Sequence, residues 1–181
     1  MNYKFNVNIT DSDYLDFHKF WITKSHYGKK QMTTFKLVIA LIFCVYIVFS
    51  LYNSGFTRDS FLGIVPILIL LIIFELAFTP LFVLFLKSHL KGLKKKGKMG
   101  YSPSSVLEFY EDKFTETTDE NKAELKYTAV ERISVLKDKV IYIHVNNVTA
   151  YILPIKSFES EEQYSSFLEY IKTKCSNIDI Y

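Results

Sequence analysis

The sequence predicts a membrane α + β protein. A two-helix transmembrane hairpin carries a cytosolic antiparallel β meander or barrel, capped by a C-terminal amphipathic helix. Three observations lead there. Two apolar runs, residues 37–52 (LVIALIFCVYIVFSLY) and 61–86 (FLGIVPILILLIIFELAFTPLFVLFL), are separated by a short polar link. Lysines crowd the outer flanks of both runs, whereas the link holds only Arg58, beside Asp59. From residue 105 onward the pattern changes to short alternating segments divided by polar turns, and then to one helical stripe.

The second run exceeds the roughly 20 residues that cross a hydrocarbon core, and the first reaches about that length once Phe35 and a snorkelling Lys36 are included. Only a helix satisfies its own backbone in lipid without closing a barrel, so the two spans, 35–52 and 61–86, form a helical hairpin over residues 35–86. The first apolar run begins well inside the chain and has no small-residue cleavage site after it, so it reads as a retained anchor rather than a signal peptide.

Ahead of the hairpin, residues 1–34 divide into a strand and a helix. Tyr3, Phe5, Val7 and Ile9 alternate with polar residues, a period-2 strand with one face to bury. Such a strand has no use alone, so it should add to a sheet formed elsewhere in the chain. Thr10-Asp11-Ser12-Asp13 supplies helix-start chemistry. Tyr14, Phe17 and Trp21, with Leu15, Phe20 and Ile22, then give a wide apolar face. Two readings of that helix stay open: it lies in the membrane interface, or it packs on the soluble domain.

Charge sets the expected sidedness. Residues 1–100 carry 13 Lys and Arg against 5 Asp and Glu, a net +8, and residues 101–181 carry 9 against 14, a net −5. Lys24, Lys29, Lys30 and Lys36 precede the first span, and Lys87, Lys91, Lys94, Lys95, Lys96 and Lys98 follow the second. By the positive-inside bias both termini are expected in the cytoplasm of a multi-pass cell-membrane protein. The basic linker, 87–104, reads either as an ordinary topology signal or as a contact for anionic lipid head groups, worth about 1 kcal/mol per lysine near the surface. It lacks the interleaved aromatics of a nucleic-acid site.

Residues 105–181 form the soluble domain. Strands are predicted at 106–110, 114–118, 123–128, 131–136, 140–145 and 148–153, with turns at 111–113, 119–122 and 137–139, an antiparallel meander that curls into a barrel or a sandwich. Asn146-Asn147 fits a two-residue hairpin turn with positive φ at both residues. Ser160-Glu161-Glu162-Gln163 matches a capping box. Tyr164, Phe167, Leu168, Ile171 and Cys175 then form one apolar stripe that would plug the open end of the sheet.

Six strands and one helix have the layout of a pleckstrin-homology-like barrel lacking one strand, which residues 3–9 could supply. Phe109-Tyr110-Glu111-Asp112-Lys113-Phe114, Tyr127-Thr128-Ala129-Val130 with Ile133, and Leu153-Pro154 with Phe158 resemble the YcxB-like family of small bacterial membrane proteins. The resemblance covers nearly the whole chain. It implies a fold and a membrane location, and no activity, cofactor or site. Phosphoinositide binding does not follow from a pleckstrin-like fold here. The first hairpin turn, where lipid-binding members are basic, is Glu111-Asp112-Lys113 on a domain of net negative charge.

The search for chemistry finds little. Cys44 and Cys175 have no CxxC or Cys/His neighbourhood, so neither a disulfide framework nor a zinc site is expected. His18, His26, His89 and His144 show no metal-ligand spacing, and His144 reads as a surface or edge residue. No nucleophile–base constellation or phosphate loop is present, and an enzyme is not expected. One residue is out of place: Glu75 in the middle of the second span. Tyr46 and Ser50 are candidate partners for it. It reads either as a proton- or ion-sensitive site in a homo-oligomer, with its carboxyl uncharged and donating, or as a hydrogen bond that fixes helix pairing. Two function classes follow. One is a membrane-anchored module that holds an unidentified protein partner, through an exposed strand edge for instance. The other is a small membrane component acting through its hairpin, such as a transport-complex subunit or an immunity-type protein.

Overall fold

A computed structural model describes residues 3–181. It contains eight strands and four α-helices among those residues, and the chain divides into two compact units. One unit joins the N-terminal residues, through His18, to everything from Leu90 onward; the other is Lys19–His89.

In the first unit, β1 (Tyr3–Asn8) pairs antiparallel with β2 (Ser104–Phe109), Tyr3 opposite Phe109 and Asn8 opposite Ser104. The N-terminal strand thus joins a sheet whose other members lie about a hundred residues away. β3 (Lys113–Thr117) and β4 (Lys122–Lys126) complete a four-stranded sheet in the order β1-β2-β3-β4. A second sheet contains β5 (Arg132–Leu136), β6 (Val140–His144), β7 (Ala150–Pro154) and β8 (Ile178–Ile180), in the order β7-β6-β5-β8. The expected barrel is therefore not closed: the strands form two separate sheets. β8 is too short to leave a periodic signal in the sequence. It runs parallel to β5 after α4 (Glu161–Lys174), so the chain does not end in that helix.

Alternation decides what these sheets bury. Tyr3, Phe5 and Val7 of β1, Leu107 and Phe109 of β2 and Phe114 of β3 share one core with Ile133, Val135, Ile141, Ile143 and Leu153 of the second sheet. α4 enters the same core with Phe167 and Ile171. Phe167 meets Phe109 at 4.8 Å and Phe5 at 5.0 Å between ring centroids, both edge to face, the geometry that ring quadrupoles favour. The helix begins as its capping residues dictate, with the Gln163 amide donating to Ser160 Oγ at 3.2 Å. The return bond from Gln163 reaches the Glu159 amide.

The other face of the second sheet is also covered. α1 (Asp11–Thr23) places Phe17 against Tyr142 at 5.1 Å, with Asp16 bridged to Lys139 and Asp13 to Lys156. Its first two turns pack on the β domain, which is one of the two readings left open for this helix. All of β6 is buried in consequence, and His144, expected at the surface, is completely enclosed. Its Nε2 lies 3.1 Å from Ser134 Oγ on the adjacent strand. The sequence pattern of a half-exposed strand missed this because a second layer lies over the sheet. The Asn146-Asn147 turn is also longer than expected. His144 pairs with Ala150, so residues 145–149 form the connection, and neither asparagine has positive φ. Asn146 Oδ1 instead accepts from the amides of Val148 and Thr149. Asp138, in the β5–β6 turn, adopts φ 59°.

The second unit is dominated by α2 (His26–Ser54) and α3 (Arg58–Lys95), the last of which ends outside it, from Leu90 on. Both are long and apolar enough to cross a membrane. At 29 and 38 residues they measure about 44 and 57 Å. Both overrun the expected spans, and α3 carries helix nine residues into the linker read as 87–104. Gly55, at φ 74° between them, occupies backbone space that favours glycine. Gly28 has a different role: a Cβ there would collide with the Trp21 carbonyl. The large apolar side chains exposed on the chain, among them Leu41, Val45, Phe49, Leu62, Ile69, Ile73 and Leu84, belong almost entirely to these two helices.

Two predictions come from this packing. Phe167→Ala should cost about 3–5 kcal/mol, read as loss of hydrogen-exchange protection across both sheets; unchanged protection would show that α4 is dispensable to the core. Burial, with Arg132 nearby, pushes His144 down to about 4. Between that value and about 6.5 the unfolded chain binds a proton that the folded chain does not, so stability rises with pH across the window. Lowering the pH through it should cost up to roughly 3 kcal/mol in the opening free energy of β6 amides, and His144→Gln should flatten that dependence. Parallel pH profiles for the two proteins would exclude this source.

Candidate functional site

The polar residue singled out in the apolar helices has a partner, though not the one expected. Glu75 Oε2 lies 3.1 Å from the Lys36 ammonium, which also donates to the Glu75 carbonyl at 2.9 Å. The same ammonium sits 5.7 Å from the Phe78 ring centroid, and Phe78 in turn meets Phe35. Tyr46 and Ser50 do not approach Glu75. In an antiparallel hairpin, residues equidistant from the turn face each other, and Lys36 and Glu75 are each about twenty residues from Gly55. Tyr46 and Ser50 lie farther toward the turn, by about 15 and 21 Å along α2. Tyr46 is exposed, and the Ser50 carbonyl accepts from Ser54 Oγ in its own helix. The hydroxyl partners expected for Glu75 thus give way to a lysine ammonium on the facing helix. The turn position needed to find it was already visible in the sequence.

The basic segment after the second apolar run is divided. Lys94 is engaged, its ammonium 2.7 Å from Asp11. Lys87, Lys91, Lys95, Lys96 and Lys98 are exposed. Lys87, Lys91 and Lys94 recur at helical spacing near the end of α3.

A feature that sequence reasoning missed lies in the β unit. A cleft of about 420 Å³ opens between the inner face of β2 and β3 and the start of β7. Leu107 and Glu116, direct neighbours across β2 and β3, line it together with Ser105. Tyr151 of β7, cross-strand from Ile143, contributes from the second sheet. Tyr14, Phe17 and His18 of α1 and Gly100, Tyr101 and Ser102 of the linker complete it. Tyr14 and Tyr101 stack at 5.2 Å, and Tyr14 meets His18 edge to face at 4.5 Å.

The electrostatics of this cleft are one-sided. Glu116 shares the inward face of β3 with Phe114, and burial raises its carboxyl while a hydrogen bond from Ser105 acts in the opposite sense. It takes part in no ion pair among the described residues. Burial lowers His18, whose Nε2 is enclosed with no hydrogen-bond partner among the described residues. Tyr101, by burial and by its hydrogen bond to Asp11, is pushed up to about 12 and stays a neutral phenol. Among the described residues no lysine or arginine lines the cleft. The available signal was the alternation Phe114-x-Glu116, which puts an acid on the core face of a strand. Among the described residues no cluster of His, Cys, Asp and Glu is arranged to hold a metal.

A two-sheet β domain joined to a pair of long apolar helices is the class of protein these features define. Residues 109–171, from the end of β2 to the later part of α4, match the family described as YcxB-like protein. Comparisons with curated proteins and with solved structures give no match.

The ion pair yields a testable consequence. Glu75→Gln leaves an ammonium between apolar helices without its counter-charge, and should weaken helix pairing by about 1–2 kcal/mol. The double variant Lys36→Met, Glu75→Leu should recover most of that loss in a denaturation assay of the reconstituted chain. Equal stability of the single variant and the parent would show that the pair contributes nothing.

Proposed function

We propose that this is a two-span integral membrane protein that presents a pleckstrin-like β domain in the cytosol as a binding module. The observation that carries the reading is the pairing of β1 with β2. The chain leaves the β unit after His18 and returns to it at Leu90. A membrane crossed by α2 must therefore be recrossed by α3, which puts both ends of the chain on one face. The broad apolar exposure of those helices supports lipid as their solvent. The lysines outside both runs support the cytosolic side for that face. The meander β1-β2-β3-β4, the second meander β5-β6-β7 and the helix after it support the pleckstrin-like reading.

Anionic lipid contact fits the exposed lysines Lys87, Lys91, Lys95, Lys96 and Lys98, and fits Lys94 less well because Asp11 already holds it. The acidic turn at Glu111-Asp112 argues against inositide binding by the domain itself. With no nucleophile–base arrangement in view, a binding role is favoured over catalysis. A second reading, a membrane component acting through its hairpin, draws on the Lys36–Glu75 pair between the apolar helices. That pair is built like a helix-pairing device, which favours the first reading.

The test is topological. A fluorescent reporter after Tyr181 should light up in the cytosol, a cysteine placed at Ser54 should label only from outside, and the chain should resist alkaline carbonate extraction. Release by carbonate, or labelling of the cysteine at position 54 from the same side as the reporter, would refute the two-span arrangement.

A further inference from the structure

We propose that the cleft between the two sheets binds a small molecule carrying a protonated amine on an apolar body. The inference rests on the β unit alone and stands whichever way the apolar helices are oriented.

Glu116 is the starting point. A strand that buries Phe114 on its inward face would ordinarily continue with an apolar residue two positions on. Here it continues with a carboxylate directly across from Leu107, a residue of the core. A half-buried acid is normally matched by a basic partner, because removing its water is costly. Glu116 has the Ser105 hydroxyl and no basic partner among the described residues. The cleft beside it is open enough to be filled from solvent, and its volume is within the range of small-molecule sites.

The walls select the same ligand. Tyr14, Tyr101 and Tyr151 supply aromatic rings, whose faces attract cations, while Leu107 supplies apolar surface. Burial disfavours the charged form of His18, so its imidazole places no competing cation beside the cleft. An anion would meet a carboxylate and no compensating cation. A neutral apolar molecule would leave Glu116 with its single hydroxyl partner and no water. An alkylammonium with an aromatic or aliphatic tail satisfies the acid, the rings and the apolar floor together.

The experiment uses the full chain in lipid nanodiscs, with empty nanodiscs as the blank, and three probes of similar size: 2-phenylethylammonium, 2-phenylethanol and phenylacetate. Calorimetric titration should show one saturable site for the ammonium, binding at least about tenfold weaker for the alcohol, and none for the carboxylate. Glu116→Gln should abolish the preference for the ammonium over the alcohol. Tyr151→Leu should weaken ammonium binding severalfold while keeping its lead over the carboxylate. The comparison of the three probes on the unmodified chain decides the matter even if a variant fails to fold. Equal binding of all three, preference for phenylacetate, or no saturable ammonium binding up to about 10 mM overturns the proposal.

Discussion

The antiparallel pairing of β1 with β2 is the contact on which the rest of this architecture depends. It joins two segments separated by both apolar helices, and in doing so makes the N-terminal strand an integral part of the β domain. Tyr3 and Phe5 meet Phe167, Phe5 also meets Phe109, and Val7 joins the same core. The entropy of closing so long a loop grows only slowly with its length. Much of the intervening chain is also ordered into two helices joined by a tight connection at Gly55, so the ends of the hairpin are brought back together by its own geometry.

Three polar placements stand against the apolar pattern, and they differ in how they are satisfied. Lys36 and Glu75 answer each other across α2 and α3. His144 is enclosed between the second sheet and α1, is kept uncharged by burial, and has Ser134 on the next strand as a partner. Glu116 has a hydroxyl and an open cleft. The first two are resolved within the fold. The third has its acceptor capacity directed into a space with aromatic walls, and this sets it apart as a recognition element rather than a structural one.

The covering of both faces of the second sheet has consequences beyond His144. With α1 on one face and the core on the other, β6 is apolar-packed along its whole length, as its near-continuous hydrophobic sequence VIYIH reflects. The same helix contributes Tyr14 and His18 to the cleft. A helix that fills the outer layer of the domain therefore also shapes its one-sided electrostatics, and the linker residue Tyr101, bonded to Asp11, ties that helix to the segment leaving α3.

Local pattern was enough to read the two long helices, the six strands from β2 to β7, the turn at Asp138 and the capped final helix. Each of these depends on neighbours within a few residues: apolar periodicity, turn chemistry, an N-cap. The additional role of β1 was also legible, because an alternating strand with one apolar face requires a sheet to join. What required the folded chain was which partner each distant segment meets. The pairing of Glu75 with Lys36, the burial of His144, the β8 strand beside β5 and the cleft at Glu116 all arise from which surfaces meet, and one-dimensional periodicity records only that a face is apolar. The barrel expectation failed for the same reason. Strand count and order are local properties, whereas closure depends on how two twisted sheets meet at their edges.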